Sequence, residues 1–214
     1  MKEINIIDFG LMGKQISALF YLLGYEIGVY NKSKLNIYEF EKQIKLLQRK
    51  IDFSNFNAGK INIYQHIEDL KNSLTIESLN EDLNLKKEIM QILRDNNIVF
   101  SNSSSLSMDD LNCDFIHFFN TIYIKLIELC GSNLERFTPL KDLKKLGFHI
   151  ICSKGNRGAL ANLLLFNEIS SFFKIIEKYD YNFKECQTVY DLLYEKRNLL
   201  NIIDTIGIEL CNKI

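Results

Sequence analysis

The chain has 214 residues, of which 47% are hydrophobic and 25% charged, so it can build a packed core and does not read as disordered. Its 26 basic and 27 acidic groups leave a net charge of −1, and no basic field calls for nucleic acid. No apolar run approaches the ~18 residues of a membrane span, and the opening MKEINIIDFG is too short and too soon interrupted for a signal peptide.

Residues 4–7 form a short apolar run before Asp8-Phe9-Gly10-Leu11-Met12-Gly13. Apolar residues then recur at helical spacing (Ile16, Leu19, Phe20, Leu23), and Gly24 stops the helix. Residues 27–30 read as a second strand, ending at Asn31-Lys32-Ser33. Strand, glycine turn, helix and strand make the βαβ unit that binds dinucleotides, with the pyrophosphate resting on the helix N-terminus. Two positions depart from the G-x-G-x-x-G fingerprint. Asp8 stands at the first glycine and puts a carboxylate near phosphate. Asn31 stands where an acid would accept from the ribose 2′-hydroxyl. Asn31 and Lys32 suit instead the 2′-phosphate of NADP, one as donor and one as positive charge. The bland alternative is a Rossmann unit whose cofactor site has decayed.

Residues 35–51 read as a charged amphipathic helix and 52–60 as a loop. Strands at 61–64 and 74–77 enclose a short helix at 65–70. LNLKKEIMQILRD makes a helix, and a strand at 98–100 runs into Ser101-Asn102-Ser103-Ser104-Ser105-Leu106. Strands at 115–119 and 124–129 flank a bend at Asn120-Thr121. A short helix at 140–146 and a strand at 148–152 complete this part. Strands alternating with helices predict a mostly parallel sheet. From residue 158 the pattern turns helical, with ALANLLLFNEISSFFKIIEKY followed by stretches at 183–195 and 198–213. The expectation is an α/β Rossmann-type domain over 1–152 and a small all-helical domain over 153–214. The five cysteines (Cys113, Cys130, Cys152, Cys186, Cys211) show no CxxC and no metal spacing. Scattered singles read as reduced thiols of a cytoplasmic protein without a metal site.

His117 and Glu128 sit on the two apolar runs around the Asn120 bend. If those runs pair, Glu128 faces the imidazole, and a histidine held by a carboxylate keeps one tautomer and a raised basicity. Taken alone, His117 reads more simply as a histidine of the core.

Several segments, in order, resemble the 3-hydroxyacyl-CoA dehydrogenase family: FGLMGKQISALFYLLGYEIGVYNKS, ESLNEDLNLKKEIM, SNSSSLSMDDL, IHFFN, IKLIEL, GALANLLLF and LLNIIDTIGIE. The resemblance spans nearly the whole chain. It implies an oxidoreductase that uses NAD or NADP to interconvert a 3-hydroxyacyl thioester, or a related 3-hydroxy acid, and its 3-keto form. By position it implies His117 as the base that takes the proton from the 3-hydroxyl and Glu128 as the acid that orients it. Ser104 and Asn162 match residues that hold the substrate oxygen. Gly10, Leu11, Met12, Gly13, Asn31, Lys32, Glu81, Lys86 and Asn120 match the cofactor site. A homodimer is implied by the family's helical domain. Without the family, Ser104 reads as a turn serine, and His66 and His149 match no role. The chain departs from the family pattern in four places. The spacing from His117 to Glu128 is shorter, Arg157 replaces a proline, the segment between Asn31 and Glu81 is trimmed, and so is the helical domain. With Asp8 and Asn31, these departures leave a second reading: a catalytically inactive nucleotide-binding or regulatory protein on the same scaffold.

Overall fold

Residues 2–32, 36–93, 98–122, 124–153, 159–194 and 199–206 are described by the structure, a computed structural model. Ser33, Arg157, Cys211 and the end of the last expected helix lie outside the described residues. The opening apolar run forms β1 (Glu3–Ile7), the periodic stretch α1 (Leu11–Leu22), and the next run β2 (Glu26–Tyr30). Ile4, Ile6, Ile16, Leu19, Phe20, Ile27 and Val29 are all fully buried, which is why strand and helix pack where the two periodicities place them. Gly24 follows the helix at φ +85°, a conformation that strains any side chain.

Next come α2 (Ile37–Lys50), whose Asn36 cap accepts from the Glu39 amide at 3.2 Å, and then β3 (Lys60–Tyr64). The short helix expected at 65–70 is a 3-10 turn over Ile67–Asp69. The chain continues through β4 (Leu74–Glu77), α3 (Leu83–Leu93), β5 (Ile98–Ser101), α4 (Met108–Leu111) and β6 (Asp114–Phe118). Then come β7 (Leu126–Cys130), α5 (Leu140–Lys145) and β8 (His149–Ser153). Periodicity does not announce α4, but a capping box does. Ser107 Oγ accepts the Asp110 amide, and the Asp110 carboxylate accepts the Ser107 amide.

The 8-stranded sheet has the order β3-β2-β1-β4-β5-β6-β7-β8. All pairings are parallel except β6 with β7. Strand order reverses between β1 and β4, the switch point where open α/β sheets bind ligands beyond their strand ends.

The two faces of the sheet differ in chemistry. Ile76, Phe100, Ile116 and Phe118 join the main core, where Phe118 meets Phe20 of α1 edge to face. Period-2 alternation sends Glu77, Ser101, Phe115 and His117 to the other face, toward α3 and α4. There Lys86 of α3 is fully buried. Its ammonium donates to Glu77 Oε1 at 2.6 Å and to the Leu79 carbonyl at 2.9 Å, while Ser101 Oγ donates to Glu77 Oε2 at 2.6 Å.

The chain divides into two compact units, Met1–Ala159 and Leu160–Ile214. The second contains α6 (Leu160–Tyr179), α7 (Phe183–Leu193) and α8 (Leu199–Ile206), with a core of its own around Ile169, Tyr190, Leu199 and Ile203. Among the described residues no helix is long and apolar enough to cross a membrane.

The buried Glu77–Lys86 pair yields a stability prediction. Lys86→Met leaves a buried carboxylate without its cation and should cost about 3–5 kcal/mol in urea unfolding. Glu77→Gln in the same chain should recover part of that loss. An unchanged unfolding midpoint in Lys86→Met would show that the pair does not hold α3 on the sheet.

Candidate active site

The nucleotide turn lies between β1 and α1. Gly13 packs so closely under it that a Cβ would come within 2.2 Å of the Asp8 carbonyl oxygen, so only glycine fits. Leu11 and Met12 follow as the first helical residues, whose amides have no intrahelical partner and point out of the helix end. Asn31 closes the turn from β2, its Oδ1 accepting the Phe9 amide at 3.1 Å, and Lys32 beside it is exposed. These features fit a dinucleotide: a tight turn, a close helix and free first-turn amides. Asp8 is the one discordant residue. Its Oδ2 accepts the Gly10 amide at 3.0 Å, so a carboxylate is already bound at the mouth of the turn.

A polar cluster lies past the ends of β4 and β5. Glu81 gathers the serine loop: its carboxylate accepts from the Ser103 hydroxyl at 2.7 Å, the Ser105 hydroxyl at 2.8 Å and the Ser104 amide at 2.8 Å. Burial works against its charge, but Lys86 and these donors outweigh burial and hold the carboxyl below its usual range. Lys86 itself stands beneath the site. Its ammonium is spent on Glu77 and Leu79, so its pull on Glu81 is electrostatic. Ser104 places its hydroxyl 3.4 Å from Glu81. Asn102 ties the loop to the next strand, its Oδ1 accepting the Phe118 amide at 2.8 Å, directly beside His117.

His117 and Glu128 are cross-strand partners in the antiparallel β6–β7 pair, so their side chains share a face at neighbouring positions. Both are nearly excluded from solvent, at 7% and 1% exposure. The His117 ring stacks at a tilt on Phe119, with centroids 4.3 Å apart. The raised basicity expected from the carboxylate does not prevail. Burial pushes the imidazole down to about 4, against the opposing pull of Glu128 and Glu81. Among the described residues its Nδ1 has no hydrogen-bond partner, and neither has the Asn120 Oδ1 two residues past the end of the same strand. Two orphaned buried polar atoms three residues apart are what a ligand-binding surface presents.

The structure thus brings His117, Glu128, Glu81 and the Ser103–Ser105 loop together electrostatically and by hydrogen bonds, at the strand ends that also carry the glycine turn. Asn162 is buried on the first turn of α6, in the second unit. His66 and His149 are exposed. Glu77, Asn102, Ser103 and Ser105 were not picked out in the sequence. Their only signal there is a run of short polar residues directly after an apolar strand.

A model of the 3-hydroxyacyl-CoA dehydrogenase NAD binding domain matches residues 3–140. A 3-hydroxybutyryl-CoA dehydrogenase of Clostridioides difficile is 27% identical over 157 residues, covering 62% of this chain and 55% of that protein. The chain therefore spans little more than half the length of this curated relative. Among solved structures, M. tuberculosis FadB2 superposes with a TM-score of 0.82 at 19% identity, covering 100% of this chain and 85% of that one. The (S)-3-hydroxybutyryl-CoA dehydrogenase PaaH1 from Ralstonia eutropha gives 0.81 at 20% identity, covering 99% and 84%. At these identities the superpositions show the fold. The matched domain model covers more than half of the sequence, and the chain belongs to the 3-hydroxyacyl-CoA dehydrogenase family, with the family's NAD binding domain as its N-terminal part.

Proposed function

We propose that this chain is an oxidoreductase that interconverts a 3-hydroxyacyl thioester, or a related 3-hydroxy acid, and its 3-keto form with NAD. The observation that carries the reading is the registered His117–Glu128 pair, buried at the strand ends of an NAD binding domain. Gly10, Leu11, Met12 and Gly13 would hold the pyrophosphate and Asn31 and Lys32 the adenosine ribose, with Glu81 and Asn120 toward the nicotinamide. NAD, when bound, supplies the hydride acceptor.

The protein's own part is proton management and positioning. His117 is neutral at physiological pH and can accept the 3-hydroxyl proton as the C3 carbonyl forms. The imidazolium produced would be costly in so dry a place, and Glu128 lowers that cost. Glu81 adds to that effect through space and holds the serine loop by hydrogen bonds. Ser104 is proposed to donate to the substrate oxygen, and the family resemblance implies that Asn162 helps to hold it. The exclusion of water around His117 keeps these interactions strong. An acyl-CoA substrate, a homodimer and a cytoplasmic setting complete the proposal. The relative's name supports the first, and the scattered single cysteines of the sequence, with no CxxC among them, support the last.

Two outcomes test this reading. His117→Ala should lower turnover of a 3-hydroxybutyryl-CoA/NAD mixture by ~10²–10⁴-fold, with folding unchanged by circular dichroism. No turnover of any 3-hydroxyacyl-CoA by the native protein would remove the reading. The pH profile is the second outcome. The histidine is lowered to about 4 from 6.5, so the proton-accepting form persists as pH falls through the range where an ordinary histidine charges. The kcat/KM for oxidation should stay level from about pH 8 to about pH 5. A fall centred near 6.5 would mean that the base is solvated or is another group.

A further inference from the structure

We propose that Asp8 is a built-in anion that competes with the dinucleotide pyrophosphate and sets how tightly this chain holds its cofactor. The inference rests on the reading of the glycine turn as a nucleotide site and says what is particular to this chain. Three observations carry it.

Asp8 adopts φ +75°, a conformation that glycine takes freely and aspartate tolerates at a cost. The main chain there cannot relax. The Asp8 amide donates to the Tyr30 carbonyl at 2.9 Å, and the Asp8 carbonyl lies against Gly13 with no space for a Cβ. The side chain is therefore held at the turn by a clamped backbone.

The direction it takes is the second observation. Oδ2 accepts the Gly10 amide at 3.0 Å, and a Cβ added at Gly10 would lie 2.9 Å from the same oxygen. The carboxylate thus lies against the N-cap of α1. It takes up a donor at the positive end of a helix, where backbone amides otherwise receive phosphate oxygens.

The third observation concerns charge. Among the described residues Asp8 makes no ion pair. With the Phe9 amide given to Asn31 and the Gly10 amide to Asp8, two amides of the turn are already in use, and a phosphate is left the first-turn amides of the helix, Leu11 and Met12 among them. An arriving pyrophosphate meets a like charge and a donor already in use. Both effects weaken binding of any ligand with a pyrophosphate and spare one without it.

The test compares native protein, Asp8→Asn and Asp8→Gly by titration calorimetry with NADH, ADP-ribose and adenosine. Asparagine keeps an oxygen for the Gly10 amide and tolerates the positive φ, so it removes the charge with little else changed. Asp8→Asn should tighten NADH and ADP-ribose by about tenfold or more and leave adenosine unchanged. Asp8→Gly should tighten them at least as much. Equal or weaker binding of NADH and ADP-ribose by Asp8→Asn, with a native unfolding midpoint, overturns the role of Asp8 while the dehydrogenase reading stands. Equal tightening of adenosine also overturns it, because the effect would then not be on phosphate. If none of the three proteins binds NADH or ADP-ribose, the nucleotide site and this inference fall together.

Discussion

A buried imidazole facing a buried carboxylate across two antiparallel strands is the constraint on which the rest of this structure turns. Burial there works against charge on the ring, and the histidine is kept neutral, with a carboxylate placed to lower the cost when the ring takes a proton. The pairing of β6 with β7 is what makes it possible, because antiparallel register puts His117 and Glu128 directly opposite each other. It is also the single break in an otherwise parallel sheet. The place where the fold changes strand direction is the place where it assembles its candidate chemistry.

The layer beneath serves that pair. Glu77 and Lys86 neutralise each other in the dry space between sheet and α3, and Lys86 still lowers the carboxyl of Glu81 from there. Glu81 in turn fixes the serine loop, and Asn102 pins that loop to the strand that carries His117. A series of hydrogen bonds, joined by the electrostatic pull of Lys86 on Glu81, thus runs from the end of β4 to the end of β6. Each member is satisfied by its neighbour, so the loop behind Ser104 is rigid without a packed apolar core of its own.

Much of this was legible in the sequence, and what was not has physical causes. The βαβ unit could be read because alternating and helical periodicities leave clear marks on short apolar runs, and Gly13 and Gly24 are glycines for steric reasons. The facing of His117 and Glu128 could be read because two apolar runs around a short bend have few ways to pair. The basicity of His117 could not. Sequence shows the carboxylate neighbour but not the depth of burial, and burial prevails. The resemblance put Lys86 at the cofactor site, and nothing in the sequence marks its burial or its pairing with Glu77 at the end of β4, because lysines are seldom buried. The helix α4 is too short for periodicity, and only its capping box marks it. The line between the units, at Ala159 and Leu160, falls where the pattern turns helical at residue 158, a few residues past the boundary expected after the last strand.

The most direct measurement is the ¹⁵N chemical shift of the His117 ring across pH, in native protein and in Glu128→Gln. The native ring should remain neutral down to about pH 4, and to lower pH still once the carboxylate is removed. A ring that titrates near 6.5 in both proteins would contradict the buried, carboxylate-supported histidine at the centre of this structure.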